Sequence, residues 1–186
     1  MAMDDKLMVK LIVFTEGMFF LSLIMAFVYF SFTPGFKHQQ VSALDIRSTG
    51  IFSLLLFSSS FTYWRAETSY RAGKRKGLKI WLVLTLILGA IFLFGQGKEY
   101  LKLLNNHVSI SSSLFGTSFF TLTGFHGLHV FAGLIIISII TCLTFLGDYN
   151  QNKHSTIFSS VGIYWHFVDL VWLVVFLIVY VLPLIS

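Results

Sequence analysis

Five side chains stand inside long apolar runs, where a charge or an unpaired hydrogen-bonding group is costly: Glu16, His126, His129, His166 and Asp169. Imidazole and carboxylate are adequate ligands for iron, copper or zinc, and the same groups relay protons or join membrane helices. The spacing decides among these uses. His126 and His129 are three residues apart, as are His166 and Asp169, so each pair shares a helix face. The sequence has no Glu-x-x-His repeat of a diiron bundle and no His-Glu-x-x-His. Cys142 is the single cysteine, which removes an internal disulfide, c-type haem attachment and any centre needing two thiolates. Spacing alone therefore favours a polar cluster between helices. An intramembrane metalloenzyme and a small proton-coupled transporter are the rival readings. Against the transporter, Pro34 and Pro183 lie at the ends of apolar runs and no inverted repeat is visible.

The elements that must position these groups follow from composition. Of 186 residues, 56% are hydrophobic, 17% aromatic and only 11% charged, which excludes a water-soluble globule. Continuous apolar runs at about 7–32, 46–64, 78–100, 114–146 and 157–184 are each long enough to cross about 30 Å of hydrocarbon as a helix. They lack the alternating polarity of barrel strands. The expected fold is all-α: a polytopic membrane protein with a five-transmembrane-helix bundle, one domain over residues 1–186. The first run reads as a retained span, because no small-residue cleavage site follows it. Glu16 lies about 12 Å into that span, so it is expected to be neutral, paired or facing protein. Gly116, Gly124, Gly127 and Gly133 suit close helix approach in the fourth run. Gly162, His166, Asp169 and Leu173 form a stripe on the fifth that should face the bundle.

The formal charge is +5, from 13 Lys plus Arg against 8 Asp plus Glu, and its distribution points to topology rather than nucleic acid. Lys6, Lys10, Arg65, Arg71, Lys74, Arg75, Lys76, Lys79 and Lys153 fall on one side of a five-span layout. Lys37, Arg47, Lys98 and Lys102 fall on the other. Nine against four places the N-terminus in the cytoplasm and the C-terminus outside. The basic loop around Arg71, Lys74, Arg75 and Lys76 then sets orientation and touches anionic lipid. Glu99 reads as an outer-boundary residue that is cheap to ionise.

The run FFTLTGFHGLHVFAG (residues 119–133), followed by YWHFVDLVW (residues 164–172), closely resembles the paired signature of subunit III of haem-copper terminal oxidases. IVFTEGMFFLSLIMAF resembles that family's helix with a buried glutamate before a Phe-Phe pair, which assigns that role to Glu16. GQGKEY is similar to the family's Gln-x-x-Glu-Tyr, which assigns Gln96 and Glu99. The resemblance implies a chain without haem, copper or catalytic residues of its own, in a bacterial inner membrane. It would pack on subunit I, which holds the haem and copper, and contact other oxidase subunits or a larger respiratory supercomplex. It further implies bound phospholipid, support of proton uptake, and protection during turnover while the complex reduces O2 to water and pumps protons. Many members have seven helices. Five-helix forms occur among quinol and cytochrome oxidases and in an accessory protein of nitric oxide reductases, which is the alternative role.

Opposite sidedness of the two ends is the expected outcome of tagging Met1 and the C-terminus in intact cells, with Met1 cytoplasmic and the C-terminus external. Cytoplasmic labelling of both ends would refute the five-span count.

Overall fold

The computed structural model describes residues 2–34, 36, 44–147 and 155–185. Among these are five long helices: α1 (Ala2–Ser31), α2 (Ile46–Arg71), α3 (Arg75–Asn105), α4 (Leu114–Leu146) and α5 (Ser155–Phe176). The last passes through a wide π turn, Leu177–Val181, into a short α6, Leu182–Ile185. Lys37 and Lys153 of the charge tally lie outside the described residues.

Local chemistry sets the helix ends. Asp45 accepts the Ser48 amide at 3.3 Å across the start of α2. That bond, aided by the Lys102 ammonium at 3.4 Å, holds its carboxyl below the usual carboxylate value. Ser113 caps α4 through the Gly116 amide at 3.1 Å. Gly147, in the left-handed region with φ of 82°, ends α4. Between α2 and α3 only residues 72–74 are non-helical, and Gly73 turns the chain with φ of 70°. The basic segment expected as a loop is thus mostly helical. Arg71 closes α2 and pairs with Glu67 at 2.6 Å, Lys74 is the residue capping α3, and Arg75 and Lys76 lie within α3.

Among the described residues, four helical stretches are long and apolar enough to cross a membrane: Leu7–Ser31, Arg75–Asn105, Leu114–Leu146 and Thr156–Val181. The helix α2 falls short of that apolarity, so four of the five expected spans have membrane-crossing length and apolarity and the second does not. Several of its hydroxyl groups face inward. Ser53 and Ser59 are buried, and their Oγ atoms accept the indole N–H of Trp172 at 2.8 Å and of Trp165 at 3.1 Å. Thr62 meets Thr85 of α3 at 2.8 Å, and the Tyr63 hydroxyl donates to the Phe158 carbonyl at 2.9 Å. A buried indole N–H needs an acceptor, and α2 supplies one at each tryptophan.

The inward face of α5 reads Phe158, Val161, Trp165, Val168, Trp172 and Val175, a helical period with an aromatic weight. This corrects the expected stripe. Gly162 and Asp169 are buried, but His166 and Leu173 are exposed on this chain, because the two indoles and the valines claim the interior. Two glycines make room for Trp165: a Cβ on Gly89 or Gly133 would lie 3.2 Å or 2.8 Å from its ring. The α4 glycines therefore admit side chains as well as backbone, with Gly127 against the Gln96 amide and Gly124 near the Tyr100 hydroxyl. On the far side of the bundle, α1 packs across α4 and α5, its Gly17 against Phe167.

Gly133→Val should lower thermal stability by about 1–3 kcal/mol through overpacking against Trp165, read as a reduced melting midpoint in mild detergent. An unchanged midpoint would mean that the Trp165 cradle yields freely.

Candidate functional site

The five intramembrane residues do not form one cluster. Glu16, from the middle of α1, places Oε2 at 3.0 Å from Nε2 of His129 on α4. The other ring nitrogen, Nδ1, lies 2.7 Å from the Phe125 carbonyl, which can only accept, so Nδ1 carries a proton. Nε2 is then either an acceptor for a protonated Glu16 or a donor from an imidazolium to a carboxylate. Both forms hold the same number of protons and have zero net charge. That neutrality lets the pair sit at membrane depth with low cost. The Tyr164 hydroxyl of α5 donates to the His129 carbonyl at 3.1 Å, and Phe20 of α1 places its ring 4.9 Å from the imidazole. The pair thus stands where α1, α4 and α5 meet.

A second polar group joins α2 to α5. Ser60 Oγ of α2 bonds Oδ2 of Asp169 and lies 2.9 Å from Nδ1 of His166. Its single hydroxyl proton serves the carboxylate, so the ring nitrogen facing it is the donor. Asp169 is 5% exposed, and its Oδ1 has no protein hydrogen-bond partner. Ser60 is therefore the link between the two residues that spacing put on one face.

His126 takes no part in either group. It is fully buried, stacked on Trp172 with centroids 4.8 Å apart and an interplanar angle of 26°, and met edge-on by Phe92 at 6.0 Å. Neither ring nitrogen has a hydrogen-bond partner. Although three residues from His129, it serves as an aromatic element of the core.

Near the other end of the bundle, Glu99 is more than a boundary residue. Its Oε1 accepts from Thr49 of α2 at 3.0 Å, and its Oε2 from Tyr180 beyond α5 at 2.7 Å. One carboxylate so ties three helices. One turn away, the Gln96 side-chain amide donates to the Thr123 carbonyl at 2.8 Å, and the Tyr100 hydroxyl meets Thr123 Oγ1 at 2.7 Å. Sequence reasoning missed the hydroxyl partners Thr49, Ser60, Thr123, Tyr164 and Tyr180. Hydroxyls recurring in an apolar helix are a weak pointer to helix contacts, because they also bond carbonyls of their own helix, as Ser58 and Thr68 do.

Among the described residues, no three His, Cys, Asp or Glu side chains converge as a metal site would require. The carboxylates are instead covered by imidazole or hydroxyl donors from neighbouring helices. Such an arrangement can hold protons and fix helix positions, and it presents no nucleophile activated by a base.

Comparison with known proteins agrees in one direction. The family model described as cytochrome c oxidase subunit III matches residues 3–183. The chain is 36% identical over 176 residues to a cytochrome c oxidase subunit 3 of a Synechocystis species, covering 94% of this chain and 74% of that relative. It is 36% identical over 166 residues to a probable cytochrome c oxidase subunit 3 of Mycobacterium leprae, covering 89% and 82%. It is 38% identical over 131 residues to the subunit 3 of Thermostichus vulcanus, covering 70% and 63%.

The separation into two polar groups is testable by double-mutant cycles in detergent. Glu16→Gln and His129→Asn should couple by about 0.5–3 kcal/mol, whereas Glu16→Gln and Asp169→Asn should add independently. Strong coupling in the second cycle would restore the single-cluster view.

Proposed function

The chain belongs to the cytochrome c oxidase subunit III family, and from that premise we propose that it is an accessory subunit of a proton-pumping haem-copper oxidase, without haem or copper of its own. It packs on the catalytic subunit I, which carries those groups, and with other oxidase subunits in a bacterial inner membrane. Phospholipid binding, support of proton uptake and longer working life during O2 reduction are its contributions. The whole chain acts as one domain crossing the membrane five times, with the N-terminus cytoplasmic. In that layout α2 crosses as a span whose buried serines and threonines turn toward α3 and α5.

The observation that carries this reading is the pairing of Glu16 with His129. A carboxylate at membrane depth is committed to a neighbouring helix, in a form without net charge, and so acts as a positioning group rather than a redox ligand. The Ser60, His166 and Asp169 group supports the same role, and its exposed imidazole offers a hydrogen-bonding edge on the side of α5 not covered by this chain.

Copurification in mild detergent is expected to recover a haem-bearing catalytic subunit with this chain. In that complex Glu16→Ala or His166→Ala should weaken retention of the chain or shorten the number of turnovers before inactivation. The initial electron-transfer rate and the haem spectrum should change little. Loss of the haem spectrum in an otherwise assembled complex would overturn the cofactor-free reading, and unaltered retention and lifetime in both variants would reject the positioning role.

A further inference from the structure

The last span begins at Thr156, and His166 follows about 15 Å further along the helix axis, near the middle of about 30 Å of hydrocarbon. On this chain its ring is exposed. Nδ1 is taken by Ser60 of α2 at 2.9 Å, and Ser60 in turn serves Asp169. Among the described residues nothing hydrogen-bonds Nε2.

The proton on Nε2 follows from charge. With Asp169 as a carboxylate and Nδ1 donating to Ser60, the group is neutral only when the ring is an imidazolium, so Nε2 carries a proton as well. Passing one proton from Nδ1 through Ser60 gives a carboxylic acid and a neutral imidazole, and Nε2 keeps its own. Both neutral forms therefore present an N–H outward at mid-membrane depth. A form without that proton would leave an unbalanced negative charge in hydrocarbon, where it is costlier.

An N–H that faces hydrocarbon needs an acceptor, and reach decides which one. Lipid phosphates and esters lie at the interface, about 15 Å from the ring, and water is absent at that depth. A second copy of this chain, docked by the same face about a two-fold axis, would bring its own Nε2–H to the same place, donor against donor. A membrane segment of a different chain is left. The helix that borders the imidazole, α2, is also the one that falls short of membrane-crossing apolarity, so the two features that suit lipid least are neighbours. Further along the same seam, Glu67 is already engaged by Arg71 and Ser159, which leaves a neutral contact for the partner to make.

We propose that the α2–α5 face around His166 is an intramembrane docking surface for another subunit, whose membrane helix sets a neutral hydrogen-bond acceptor against Nε2–H. A hydroxyl, a carboxamide oxygen or a free backbone carbonyl would serve. The proposal rests on the accessory-subunit reading for the existence of a partner, and adds the face and the polarity of the contact.

The test places the photoreactive residue p-benzoylphenylalanine at Leu170, exposed one turn beyond His166, with irradiation in native membranes and identification of the adduct by peptide mass spectrometry. The expected adduct joins a transmembrane segment of a different chain of the oxidase complex. In the complex washed with mild detergent, His166→Gln, whose amide N–H stands about where Nε2 does, should keep retention of this chain within about twofold. His166→Asn, which reaches Ser60 but not outward, should lower retention by about threefold to tenfold. Equal retention in the two variants, kept or lost, would overturn the outward bond, because a purely internal role is served better by Asn. An adduct with a second copy of this chain, or no adduct while a haem-bearing subunit copurifies, would overturn the surface and leave the accessory-subunit reading standing. An adduct with a membrane chain in a preparation that yields no haem-bearing subunit would overturn that reading instead, and retention of the adduct's chain in the Gln and Asn variants then decides the surface.

Discussion

Inside hydrocarbon a polar group has no water to turn to, so each donor and acceptor must be answered by the protein itself. In this chain that constraint is concentrated at two indoles. Trp165 and Trp172 are both buried on α5, and each donates its N–H to a serine of α2. The remaining architecture is arranged around those bonds. The hydroxyl-rich α2 is drawn inward, α3 follows it through the three-residue turn at Gly73, and glycines on α3 and α4 open space for the Trp165 ring. With the centre filled, α1 packs across α4 and α5, where Glu16 finds His129.

The polar residues then divide by partner. Glu16 and His129 cancel in charge, Asp169 and His166 meet through a hydroxyl, and Glu99 binds two hydroxyls from two other helices. Each carboxylate is engaged by groups from a different helix. Helices are positioned in this way by side chains that answer one another across helix boundaries. His126 shows the other outcome available to a buried imidazole: between Trp172, Phe92 and Phe20 it behaves as a ring among rings.

Much of the fold was legible in the sequence because lipid exposure demands unbroken apolar runs. The bounds of α4 coincide with the run at 114–146, α3 extends its run by a few residues at each end, α1 and α5 begin a few residues before theirs, and the last run continues past α5 through the π turn into α6. The second helix was harder to read, since its span quality depends on which way its serines point, and that is a property of its neighbours. The site was half legible. Spacing along one helix says which residues share a face, but the rotation of that helix against the next decides who meets whom. Hence His126 and His129 looked equivalent and are not, and Ser60, which joins His166 to Asp169, gave no signal beyond being a small polar residue in a run of three. The family was visible through long motifs around Glu16, Gln96, His126 and Asp169, whose order along the chain is independent of that rotation.

The π turn in the last helix has a consequence for how this chain is compared with others. At its end the Leu182 amide reaches back five residues to the Leu177 carbonyl, one more than an α-helix uses. An inserted residue is thus absorbed inside a continuous helix, and everything after it is rotated by about 100° relative to a regular continuation. Tyr180, within that turn, donates its hydroxyl to Glu99. A relative with a regular helix at this point would be one residue shorter before presenting the same face. Matching the two chains would then require a gap in the middle of a helix, where alignments by rote do not place one. Position numbers beyond 177 would otherwise equate an inward phenol with an outward aliphatic side chain.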